Sequence, residues 1–164
     1  MRAFYQRAVE RLDRLDQVQL RDLFRRLTID NDLLGTALDS MGRVIIVTDT
    51  QGRILLVNKA GERLVPFNTP DYTQNLVWKV VSDPQISSFL EKTLRLQENA
   101  HDCDFTTTIG ATRTLSFGVL PLVHDGHVAG NLIYAEDVTE KRIDEVRFRR
   151  AEGLAALTTL TAGV

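Results

Sequence analysis

The chain has 164 residues and 43% hydrophobic content, enough for one ordinary domain with a real core and some additional helix. Its 20 basic and 22 acidic residues are interleaved and nearly cancel, which argues against a nucleic-acid or membrane-surface partner. The single cysteine, Cys103, excludes an internal disulfide and an all-cysteine metal site, and the apolar runs (such as "VIIV" from Val44) are too short to cross a bilayer. With a charged N-terminal stretch unlike a signal peptide, the expectation is a soluble, cytoplasmic chain.

The first 40 or so residues read as one or two amphipathic helices. Phe4, Ala8, Leu12 and Leu15 form one apolar stripe, and Leu20, Leu23, Phe24 and Leu27 form another. Such stripes must be covered by the same chain or by a second copy, and the interleaved charge suits a pairing helix. "TIDNDLL" from Thr28 offers N-caps for a second short helix, Asp32 to about Met41.

Next, "RVIIVTDTQGRILLVN", Arg43 to Asn58, holds two β-branched runs around "DTQG" and predicts a hairpin. Both runs are almost continuously apolar, which predicts a pair lying centrally in its sheet. Asn58 is placed to cap the helical pattern "KAGERLV" that follows. "TPDYTQNLVWKVVSD" reads as a turn and a short helix. "PQISSFLEKTLRLQ" is a clearer helix, with Pro84 in its first turn and Ile86, Phe89, Leu90 and Leu94 on one face.

Three strands come next: "CDFTTTIG", "TRTLSFGVLPLV" and "VAGNLIYAEDV", the last two joined at Asp125-Gly126, a strong hairpin signal. From Glu140 onward the pattern is helical. Consecutive hairpins make the sheet antiparallel, so the class is α+β, with five strands and short helices over one face. A pocket between sheet and helices is expected, lined by Ile46, Trp78, Phe89, Leu94, Phe105, Phe117 and Tyr134.

No nucleophile elbow, phosphate-cradling glycine loop, His-Glu-x-x-His or catalytic carboxylate pair is present, so the chain itself is not expected to be an enzyme. His101, Cys103, His124 and His127 read as polar residues at strand ends. The alternative is that His101 or Cys103, near the mouth of the pocket, ligates a metal or a haem iron. "AEDVTEKR", Ala135 to Arg142, runs from a strand almost directly into a charged helix, where Asp137 or Thr139 can serve as cap. A strand fused stiffly to a helix transmits force. In that helix Ile143 and Val146 are echoed by Leu154 and Leu157, while a strict heptad would put Arg150 and Gly153 in the seam. This is the pattern of a coiled coil with an interrupted repeat, and predicts two copies pairing.

The hairpin "GRVIIVTDTQGRILLVNKAGERLV" closely resembles the opening of a PAS domain, and "GNLIYAEDVTEKR" resembles the PAS closing strand with its Asp-x-Thr exit, here Asp137 and Thr139. The resemblance implies a five-stranded antiparallel PAS sheet at residues 34–140, a flanking dimerisation helix at 1–33 and a signalling helix at 141–164. "LAALTTLTAGV", Leu154 to Val164, is similar to the run into the phospho-accepting H-box of sensor histidine kinases of the soluble, nitrogen-regulation type. That implies a sensory and dimerisation module, a homodimer through both end helices, and a response regulator as partner of kinase domains beyond this sequence. Asp137 and Thr139 would be the signal relay. The pocket helix "PQISSFLEKTLRL" lacks the histidine of the best-known oxygen-sensing haem relatives, and the flavin-binding Asn-Cys-Arg motif is missing. Flavin is therefore not expected, a haem or metal-based oxygen or redox sensor is one alternative, and a ligand-free structural dimerisation module is another.

Overall fold

The computed structural model describes residues 17–108 and 111–162, with side chains except at 19 and 153–162. Two compact units are present, divided after Ser40. The first contains helix α1, Gln17–Ser40. The expected break at Thr28 to Asp32 does not occur: α1 is continuous, and Thr28 and Thr36 satisfy their hydroxyls by donating to the carbonyls of Phe24 and Asp32 one turn back. Hydroxyls that bond backward along a helix do not cap a new one. Val18, Phe24, Ile29, Leu33 and Leu34 are each more than half exposed. The stripe from Phe4 to Leu15 lies outside the described residues.

The second unit runs β1 (Val44–Thr48), β2 (Ile54–Val57), α2 (Lys59–Leu64), α3 (Val77–Val80), α4 (Pro84–Leu96), β3 (Ala100–Thr107), β4 (Arg113–His124), β5 (His127–Asp137) and α5 (Thr139–Ala162). All neighbouring strands are antiparallel, in the order β2-β1-β5-β4-β3. This is the α+β class expected from the order of elements, and the chain's first and last strands meet at its centre.

One expectation about the first hairpin is corrected. β1 is interior, but β2 is an edge strand, with Leu55 and Leu56 exposed. A continuous apolar run signals side chains needed on both faces, and does not say how many strand neighbours it has. The start of β2's outer edge is covered: Ile54 N–H donates to the Asn75 carbonyl and Gln74 N–H to the Ile54 carbonyl.

The β1–β2 turn is set by Asp49, whose Oδ1 accepts from the N–H groups of Gln51 and Arg53 at 2.9 and 2.8 Å. Gly52 has φ +83°, and a Cβ there would come within 2.2 Å of the Trp78 ring. Only glycine satisfies both conditions. At the other tight turn, Asp125 and Gly126 both have positive φ, as a two-residue type I′ hairpin requires.

Strand alternation builds the core. Val44, Ile46, Leu115, Phe117, Val119, Ile133 and Ala135 point to one face, where Leu64, Val77, Val80, Ile86, Leu90 and Leu94 of α2–α4 cover them. α4 is well delimited: Asp83 Oδ1 accepts from the N–H groups of Gln85 and Ile86, Pro84 opens the first turn, and Gln97 ends the helix in the left-handed region.

Candidate functional site

Six of the seven expected pocket residues share one side of the sheet. Ile46, Leu94 and Phe117 are buried in the core, and Trp78, Phe89 and Phe105 pack against it, partly buried. The rings of Phe89, Phe105 and Phe117 fill the space between α4 and β3–β4. Their centroids are 5.0 Å (89–105), 5.8 Å (105–117) and 6.5 Å (89–117) apart, in tilted and edge-on contacts. Trp78 lies over the β1–β2 turn, with the Arg95 guanidinium 5.8 Å from its ring centre.

Tyr134 is a correction. It pairs with Ile45 and Gly118, whereas the inward residues of β5 are Ile133 and Ala135. Its ring lies over Gly118, where a Cβ would come within 2.1 Å, and its hydroxyl is 3.0 Å from His101 Nδ1 on the face away from α2–α4. A side-chain period of two makes adjacent residues opposites, so Tyr134 cannot share a lining with Phe117.

A break in that alternation separates His101 from Cys103, which a regular strand would put on one face. Cys103 pairs with Phe117, while a bulge between Ala100 and Cys103, with Asp102 at φ +52°, turns His101 toward Tyr134. The two side chains are therefore not brought together as ligands of one metal ion. His124 and His127 do face each other across their hairpin, at its exposed tip. Among the described residues, no group of three or more His, Cys, Asp or Glu is arranged to hold a metal ion.

The densest polar construction lies where β5 becomes α5. Asp137 Oδ1 caps the first turn of α5 by accepting from the Thr139 amide at 3.1 Å, and it also accepts from the Thr139 hydroxyl. Asp137 Oδ2 accepts from Arg113 of β4 at 3.0 Å. Thr139 Oγ1 in turn accepts from the Thr114 amide at 2.9 Å, and the Val138 amide donates to the Thr114 carbonyl at 2.9 Å. Thr139 thus belongs to the helix and to the sheet at once. Burial pushes the Asp137 carboxyl up, but the Thr139 hydroxyl and amide and the Arg113 guanidinium together hold it below its usual value. Beside this network an open cleft of about 430 Å³ is lined by Ala111, Thr112, Arg113, Asp137, Thr139 and Glu140.

One turn further on, Arg142 reaches back to β3. Its Nε and one terminal nitrogen donate to Asp104 Oδ2 at 2.8 and 2.7 Å, and the other terminal nitrogen donates to Glu145 at 2.7 Å. The hydrogen bond from Arg142 holds the Glu145 carboxyl below its ordinary value. On the neighbouring corner, Arg43 at the entrance to β1 pairs with Glu136 of β5 at 2.9 Å.

Sequence reasoning missed Arg113, Thr114, Asp104 and Arg142. The first two were within reach: counting outward from Asp125-Gly126 places Thr114 opposite Asp137. The bulge at Leu122/Val123 moves the register by one, to Leu115.

At the same end of the sheet, beside the start of β1, Asn58 ties β1 to α2. Its side-chain oxygen accepts from the amides of Ile45 and Gly61, both at 2.9 Å, and its side-chain nitrogen donates to the Arg43 carbonyl at 2.9 Å. It is only 1% exposed.

Residues 38–143 match the family model described as PAS fold. No curated protein sequence gives a significant match. Among solved structures, the chain is similar to an RNA-binding light-oxygen-voltage receptor at a TM-score of 0.53 and 21% identity, covering 77% of this chain and 37% of that one. The PAS domain of Bordetella pertussis BvgS gives 0.52 and 22%, covering 82% and 98%. The phage VqmA–DPO complex gives 0.53 and 19%, covering 82% and 61%. The chain spans less than two thirds of the length of the receptor and of phage VqmA. At these identities the likeness is one of fold.

Proposed function

This chain belongs to the PAS family, and on that basis we propose that it is the cytoplasmic sensory and dimerisation module of a two-component histidine kinase. A change on the helix-covered side of the sheet, from a ligand or a partner, would shift β4 and β5. Asp137 and Thr139 would pass that shift to α5. The observation that carries this reading is the double role of Thr139, which is held by the Asp137 cap at the helix start and accepts from the Thr114 amide of the neighbouring strand. A displacement of β4 along its length therefore moves the first turn of α5 directly.

The helix has the length to carry such a signal outward: its 24 residues span about 36 Å at the usual rise. Ile143 and Val146, on one face and each nearly half exposed, suit pairing with a second copy. The kinase context is supported by the similarity of "LAALTTLTAGV" to the approach to an H-box, at residues whose side chains lie outside those described. No helix among the described residues is long and apolar enough to cross a membrane. Binding shifts such a device only through a difference in affinity for its two states.

The Phe89–Phe105–Phe117 contacts favour a second reading, in which the core is filled and the domain couples and dimerises without a small-molecule ligand. Native mass spectrometry separates the two: a dimer carrying extra mass supports ligand sensing, and a dimer of bare chains supports the structural module.

The relay is tested in a chimera joining residues 1–164 to the dimerisation and ATP-binding domains of a soluble histidine kinase. Asp137→Ala and Thr139→Ala are each expected to change autophosphorylation by about fivefold or more. An active chimera indifferent to both substitutions rules out the relay.

A further inference from the structure

α5 is held to the sheet by two separate ties on two different strands. The first, Thr139 on Thr114, fixes where the helix starts. One point of attachment acts as a pivot and leaves the direction of the helix free. The second, Arg142 on Asp104, lies one turn along and reaches β3. Two points on adjacent strands fix a heading. The guanidinium meets one carboxylate oxygen through two nitrogens, and its third nitrogen is held by Glu145 on the next turn of the same helix. Arg142 is thereby pre-positioned along α5 while it grips β3.

Asp104 stands between Cys103 and Phe105, and alternation puts its side chain on the opposite face from theirs. Phe105 rests on Phe89 of α4 and on Phe117 of β4. A shift of α4 or of the rings beneath β3 therefore acts on the strand that carries Asp104. β3 is an edge strand with a bulge just before this point, and so has only one neighbour to restrain it.

We propose that the Asp104–Arg142 pair is a steering tie: it sets the heading of α5 and makes β3, backed by Phe105 and Phe89, a second input to the exit helix alongside Asp137 and Thr139. Arg142 is a positioning residue, acting through the helix it aligns. The steering role rests on the reading of α5 as the output element.

Hydrogen exchange of the whole 164-residue chain tests it, following amides 143–147. Arg142→Gln and Asp104→Asn are each expected to speed exchange there by about two- to fivefold, the range for an ion pair at the surface. The double variant should be no faster than the faster single one, because both remove the same interaction. Phe105→Leu, or Phe89→Leu should the first fold poorly, should speed the same amides in the parent chain and add nothing in the Arg142→Gln background. Unchanged exchange in the two single variants overturns the tie. Equal effects of Phe105→Leu in both backgrounds, or no effect in the parent, overturn the coupling to the aromatic cluster. The measurement involves no kinase, so its failure is distinct from that of the relay, which only the chimera can sink.

Discussion

The domain joins strand to helix at two places, and the two joints are made of different materials. At the entrance, Asn58 fastens α2 to β1 with a neutral amide that is buried and bonded on both its atoms. At the exit, Asp137, Thr139, Arg113, Arg142 and Asp104 fasten α5 to β4 and β3 with one hydroxyl and two partly exposed ion pairs. A buried neutral network is costly to break and indifferent to salt and pH over the usual range. An exposed ionic one is weak and adjustable. The fold is anchored where the chain enters and compliant where it leaves, which is the distribution a relay needs.

Four substitutions or conditions sharpen the contrast, beginning with the largest effect. Asn58→Ala removes a helix cap and strands the Ile45 amide and Arg43 carbonyl near the core, and should cost about 3 kcal/mol. Urea unfolding would show it as a lower midpoint for the whole domain. Thr139→Ala, at the exit, should cost about 1 kcal/mol. Its effect should be concentrated in α5, visible as faster exchange in the first two turns with little change in the sheet. A global loss as large as that of Asn58→Ala would erase the distinction between the joints.

The smallest effect is acid sensitivity. The Asp137 carboxyl titrates lower in the folded protein than its ordinary value, so its contribution to stability is present above that value and is lost as pH falls through the folded one. Below about pH 4, α5 should loosen at its first turn while α2 stays protected. Arg113→Gln should shift the loosening to higher pH, since one of the groups holding Asp137 low is removed. A helix α2 that frays in parallel would contradict the assignment of the pH-dependent joint to the exit.

Much of this was legible in the sequence, for reasons that also explain what was not. Asn58 and Asp137 stand at junctions between a two-residue and a 3.6-residue period, where a short polar side chain has few roles but capping. Gly52 and Asp125-Gly126 announced their turns through the need for positive φ. Tyr134 was misplaced because hydrophobicity says that a residue wants cover but not which face supplies it; only register decides that. β2 read as central for the same reason. Asp104 and Arg142 were unreadable in a different way. They are charged side chains among many others, and what singles them out is a bulge and a third strand, neither of which has a signature in composition.

The most direct test of the contrast is amide exchange on the unmodified chain, comparing the first turn of α2 with the first turn of α5 as ionic strength is raised from about 0.01 to 1 M, over which the screening length falls from about 30 to 3 Å. The account predicts that α5 loses protection and α2 keeps it. Equal behaviour of the two helices would contradict it.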